Sequence, residues 1–229
     1  MMRTMKCMKL DFTKSMGMVK FLAFFLLVAG AAVAFSADAT PSFAALYMIF
    51  GVICVCSNNF FQTGSAEIST LVLPVTAANR VFGRYLYGII FVTVSALAGF
   101  LITMVTMILR KYPADAQTAE VALIMAYLGV GYMVVAFQFA FLYLTRMKNA
   151  QILSLVRMVP AFVMFFGLNA LTDKIRENAD SGISLKLLQD IITWCLEHSI
   201  WFSAMLIAAG LVVILICAVI SWVSEKKRY

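Results

Sequence analysis

The sequence predicts an all-α polytopic membrane protein with six transmembrane helices, folded as a single domain over residues 1–229. Three observations predict it. The first is composition: 63% of the residues are hydrophobic and 13% charged, with a mean hydropathy of +0.96. A soluble domain has roughly 45–50% apolar and about 25% charged residues. The second is that the apolar residues gather into runs of membrane-crossing length. The third is that most of the charge lies between those runs and alternates in sign balance from one gap to the next. Together these exclude a soluble enzyme, a disordered chain and a disulfide-stapled module.

A bilayer core takes about 20 residues of helix, with a range of roughly 17–25. The runs cover residues 21–35, 43–61, 85–109, 121–144, 152–171 and 200–223. The first is short, and Lys20 can snorkel at its edge to lengthen it. Its basic flank and Ala32-Val33-Ala34 also admit a second reading, a cleaved signal peptide. Pro41, Pro74 and Pro113 fall in gaps, whereas Pro160 sits inside the fifth run and predicts a kink there.

Charge placement sets orientation. Arg3, Lys6, Lys9, Lys14 and Lys20 precede the first run, Arg80 and Arg84 follow the second, and Arg146, Lys148 and Arg157 surround the start of the fifth. Lys226, Lys227 and Arg228 follow the sixth. With six spans all four groups share one side, which the positive-inside rule makes the cytoplasm, with both termini there. The other side carries Lys174, Arg176 and Lys186, diluted by Asp38, Asp115, Glu120, Asp173, Glu177, Asp180, Asp190 and Glu197. Arg110 and Lys111 are the exception. The net charge of +7 is therefore read as topology and lipid contact, with no nucleic-acid partner.

Two amphipathic stretches lie outside the spans. Met8, Phe12, Met16 and Val19 recur at helical spacing beside Lys6, Lys9 and Lys14, which reads as an N-terminal helix in the cytoplasmic interface. Residues 184–198 place Leu185, Leu188, Ile192 and Cys195 opposite Lys186, Asp190, Thr193 and Glu197. That is an extracytoplasmic amphipathic helix between spans five and six, with Trp194 as its interface anchor.

Chemistry is sparse. The chain has no P-loop, HExxH or GxSxG. Cys54 and Cys56 are spaced as neither a redox nor a zinc pair, and His198 is the only histidine, so no metal site is expected. The span interiors carry no Asp or Glu, which argues against a proton- or sodium-driven carrier. They do carry Asn58, Asn59, Gln62, Gln138 and Asn169. These read either as interhelical hydrogen-bonding groups or as a translocation path or subunit interface. A small-residue face of Gly88, Ala96 and Gly99 is a further candidate for subunit contact.

The segment 63–84 is unusual for a cytoplasmic loop, because Leu71, Val72, Leu73 and Val75 are apolar and surrounded by little charge. Such a hairpin either docks on a partner or lies in the headgroups. Pro74 breaks it into two helical pieces, and Thr76 is a fair N-cap for the second, which runs into the third span.

Glu67, then Leu73-Pro74-Val75-Thr76, then Arg80, Gly83, Arg84, Tyr85 and Leu86 resemble the corresponding element of ABC-2 type transporter permeases. The six spans, cytoplasmic termini, N-terminal interface helix and helical excursion between spans five and six resemble that family as well. The sequence departs from the family pattern at Thr76-Ala77-Ala78-Asn79, where many relatives carry a more charged turn. The resemblance implies a non-enzymatic membrane subunit of an ATP-driven exporter in the cytoplasmic (inner) membrane. It implies partners in separate ATPase subunits, which would hold the ATP and Mg, and in a second permease copy or a related one. It makes Glu67, Leu71, Leu73, Pro74, Val75, Arg80 and Arg84 the ATPase-coupling loop. The apolar character of the chain favours an amphipathic, lipid-like or peptide cargo. A non-transporting membrane scaffold or sensor is the alternative.

Overall fold

The computed structural model describes residues 41–64, 76–144 and 198–226, together with the helical positions Phe24 and Val28; for residues 54–64 and 115–116 it describes the backbone alone. The described chain forms helices α1 (Phe43–Gly64), α2 (Ala77–Leu109), α3 (Ala114–Leu144) and α4 (Ser199–Lys226). They match the second, third, fourth and sixth apolar runs. Among the described residues three helices are long and apolar enough to cross a membrane: Ala77–Leu109, Gln117–Leu144 and Ser199–Lys226. The first run apart from Phe24 and Val28, the fifth run, the N-terminal amphipathic stretch and residues 184–197 lie outside the described residues.

Two helices start earlier than their apolar runs. Helix α2 begins at Ala77 rather than near residue 85, and α3 at Ala114 rather than near residue 121. Helix α2 has 33 residues. At roughly 1.5 Å per residue that is about 50 Å, well beyond an apolar slab of about 30 Å. The added turns carry polar side chains: Arg80 and Arg84 on α2, and Gln117 and Glu120 on α3.

The chain direction follows from contacts at the two ends. At one end the Ser42 backbone N–H donates to Glu120 Oε2 at 2.8 Å. There Thr103 Oγ1 donates to the Pro41 carbonyl at 2.9 Å, and Ser203 Oγ donates to the Ala122 carbonyl at 2.7 Å. At the other end Arg80 faces Glu225. Helices α1, α3 and α4 therefore run one way and α2 runs antiparallel to them. The end of α3 and the start of α4 lie at opposite ends of the bundle.

Helix α3 is the hub, and glycines set how closely its neighbours approach. In lipid there is no hydrophobic drive between helices, so close backbone packing takes its place. A Cβ on Gly129 would stand 2.7 Å from the Leu206 carbonyl carbon, and one on Gly210 would stand 2.7 Å from the Gly129 carbonyl oxygen. The α3 and α4 backbones thus touch directly. Gly131 instead makes room for side chains: a Cβ there would stand 2.9 Å from Ile49 Cγ2 of α1 and 3.3 Å from Val92 Cγ1 of α2. The buried stripe of α4 is Ser203, Gly210, Ile214, Cys217, Ala218, Ser221 and Glu225. It advances mostly in threes and fours, as the inward face of a packed helix does. Its opposite face exposes Leu211, Leu215, Val219 and Val223, as a lipid-facing surface does.

The small-residue face is turned inward, which corrects the expectation of a subunit contact there. Gly88 packs on Val135 and Phe139 of α3, Gly99 on the Ala45 backbone of α1, and Ala96 is buried. These glycines let helices of one chain approach each other. In the same apolar surroundings Thr93, Ser95 and Thr106 each donate to the carbonyl one turn back. That satisfies their hydroxyls without water.

Helix α2 ends in a Schellman motif. The Tyr112 N–H reaches the Met107 carbonyl at 3.0 Å and the Lys111 N–H reaches the Ile108 carbonyl at 3.2 Å. Lys111 is left-handed, at φ 53°. Arg110 and Lys111 are the pair that departs from the charge pattern. They stand on the negative end of the α2 dipole, where a cation is favoured locally whatever the topology.

Candidate functional site

The site is built at the end of the bundle where α2 begins. Thr76 is extended (φ −65°, ψ 149°), and its side chain accepts from the Asn79 N–H at 3.4 Å. The expected N-cap is in place. The helix that follows has no breaker before Gly83, and its inward face is Val81, Arg84, Tyr85 and Gly88. Arg80 and Arg84 lie one turn apart and both reach neighbouring helices.

Three ties join this segment to the last turns of α3 and α4. Arg80 Nη2 is 3.8 Å from Glu225 Oε1, with side chains only 12% and 4% exposed. Arg84 Nη1 donates to the Tyr143 hydroxyl at 3.5 Å, and Arg84 is buried. The Tyr85 hydroxyl is 2.9 Å from Ser221 Oγ and also donates to the Ala136 carbonyl at 3.5 Å. Its ring meets Phe139 edge-on, with centroids 5.5 Å apart and planes at 88°, a favoured arrangement of aromatic pairs. Beside them Lys226 stands over Trp222 at 6.0 Å, within reach of the ring's negative face. Charges this far from water are held only when paired, because an isolated ion is costly in a low dielectric. None of these groups forms a nucleophile–base arrangement. The cluster is a mechanical tie among three helices.

At the opposite end Glu120 is buried and receives the Ser42 N–H just ahead of α1. Its carboxylate therefore sits near the positive end of the α1 dipole, where a negative charge is favoured. Thr103 holds the Pro41 carbonyl in the same corner. From sequence Glu120 reads only as a loop charge.

The candidate residues named from sequence divide as follows. Arg80 and Arg84 are in the described helix and turn onto their own chain. Gln138 is fully buried inside the bundle, away from any outward face. Asn58, Asn59 and Gln62 are on the second half of α1, with side chains outside the description. Glu67, Leu71, Leu73, Pro74, Val75 and Asn169 lie outside the described residues. Sequence reasoning misses Glu225, Ser221, Tyr143 and Ser203 as partners. A signal for three of them is present: Ser203, Ser221 and Glu225 lie eighteen and then four residues apart, five turns and one turn along one face of an otherwise apolar helix.

Long apolar helices packed through glycines, with polar ties at their ends, define a polytopic α-helical membrane protein. The family model for ABC-2 family transporter proteins matches residues 8–229, and the chain belongs to that family. Comparison with curated proteins and with solved structures gives no match.

Proposed function

We propose that this chain is the membrane-spanning subunit of an ATP-driven ABC exporter. It pairs with a second permease, a copy of itself or a relative, and with separate ATPase subunits that bind ATP and Mg. The observation that carries this reading is the family match over residues 8–229. It is supported by the lack of a P-loop in the sequence, which leaves the energy source to another chain, and by the apolar run at 71–75.

In this reading the chain is one permease domain with six spans, the first and fifth runs completing the set. Both termini and the 63–84 segment face the cytoplasm, in the cytoplasmic membrane. The opposite-end placement of the α3 terminus and the α4 start supports a fifth span, since residues 145–197 must join them. Leu71, Leu73 and Val75 supply the apolar contact to the ATPase, with Glu67 and Pro74 in the same coupling segment. Arg80 and Arg84 lie behind this surface, because both are engaged within the bundle. The cargo is an amphipathic, lipid-like or peptide molecule.

The test of the docking surface is Leu73→Asp in the tagged protein, purified in mild detergent. Placing a charge in an apolar contact costs several kcal/mol, so the co-purified ATPase subunit should fall by at least about tenfold while the permease still accumulates. Undiminished ATPase association with Leu73→Asp removes the assignment.

A further inference from the structure

We propose that Arg80, Tyr85, Ser221 and Glu225 join the start of α2 and the end of α4 into one moving body, so that α4 receives the displacement delivered at the coupling segment. The inference rests on the exporter reading above and adds to it a positioning role for residues from opposite parts of the chain.

The geometry carries it. A step of five residues along α2, from Arg80 to Tyr85, is matched by a step of four back along α4, from Glu225 to Ser221, as antiparallel neighbours require. Two polar rungs on the same helix pair resist sliding, because an axial shift disturbs both. Both rungs are shielded from water: Tyr85, Ser221 and Glu225 are buried and the Arg80 side chain is 12% exposed. Separating them would give up charged and hydroxyl contacts in a low dielectric, where such contacts are strong. The α2 end of the ladder starts four residues after Thr76, the first described residue following the 63–75 segment. Along α2, a push on that segment therefore meets the partly buried Arg80 before the buried Arg84 and Tyr85. The Tyr85–Phe139 edge contact and the Arg84–Tyr143 bond bring the end of α3 along the same surface. The apolar, glycine-spaced middle of the bundle has no comparable ladder between α2 and α4 among the described residues, so the coupling is local to this end.

The test uses the tagged permease with its co-purifying ATPase, reconstituted in phosphatidylethanolamine/phosphatidylglycerol vesicles. Two quantities are read: ATPase subunit bound per permease, and vanadate-sensitive ATP hydrolysis per bound ATPase. Arg80→Glu and Glu225→Arg should each keep the ATPase bound yet lower hydrolysis per bound subunit by roughly tenfold, within the range for mutations along a coupling network. The double swap Arg80→Glu/Glu225→Arg should recover most of that loss. Glu225→Gln preserves shape and removes only the charge; it serves if the reversals fail to accumulate, and it too should lower hydrolysis per bound ATPase. A purely structural role would reduce the amount of folded complex and leave the rate per complex unchanged. Full hydrolysis per bound ATPase in Glu225→Gln, or a double swap no better than the singles, overturns the inference. A wild-type protein that carries no ATPase fails at the exporter reading itself, and the inference falls with it.

Discussion

Gly129 and Gly210 are the residues on which the tightest helix pair depends. Each removes a Cβ that would meet backbone of the facing helix: Leu206 and Ile207 for Gly129, and the Gly129 carbonyl for Gly210. Backbone cannot rotate away as a side chain can, so relief requires the helices to separate. Gly129→Ala and Gly210→Ala should therefore each lower stability by about 1–3 kcal/mol, the usual cost of overpacking. Gly88→Ala meets only the Val135 and Phe139 side chains. Alanine also favours the helix over glycine, so Gly88→Ala should change stability by less than about 1 kcal/mol. Thermal unfolding of the three variants in one detergent checks the ranking; a Gly88 variant as damaged as the other two would contradict it. Sequence marks such residues as a close-packing face, and it points Gly88 and Gly99 toward a second subunit. The choice between contact within the chain and contact between chains depends on the rotation of each helix about its axis, which no local pattern encodes.

At the level of elements, the ends of the helices are harder to read from sequence than their middles. Apolar runs locate the segment that lipid surrounds, and a helix continues past that segment until something stops it. In α2 the start is Thr76, and the Ala77-Ala78-Asn79-Arg80 turn is helical though not apolar. In α3 the start follows Pro113, whose carbonyl accepts the Gln117 N–H at 3.1 Å. The Thr76 cap was legible because its chemistry is local. The Arg80–Glu225 pair was not, because it joins positions from opposite parts of the chain and requires the register of two helices. The Arg110–Lys111 exception to the charge rule resolves at this scale too, as a helix C-terminus rather than a topological signal. Lys111 holds a left-handed backbone, which glycine adopts without strain. Lys111→Gly should raise stability by about 0.5–1 kcal/mol and Lys111→Val should lower it, the β-branch being worst in that region. Equal melting temperatures for the two variants would contradict the Schellman assignment.

For the whole molecule, membrane character was legible from composition alone. A chain with 63% apolar residues, gathered in long runs, has no other stable home. Family was legible from the 67–86 element, and the match over residues 8–229 agrees with it. The candidate coupling surface was legible only as an apolar anomaly in a segment between two apolar runs; what it would meet is a property of another chain. The bundle itself explains how a docking event could be passed on: a glycine-tight α3–α4 core, and a polar ladder that joins the start of α2 to the end of α4. In the exporter reading proposed above, transport draws on an engine outside this sequence. The measurement that tests this most directly is purification of the tagged wild-type protein in mild detergent, with identification of what accompanies it and an ATPase assay. The account predicts a P-loop subunit in near-stoichiometric amount with vanadate-sensitive hydrolysis. An oligomer of this chain free of any ATPase, and inert toward ATP, would contradict it and favour a membrane scaffold or sensor.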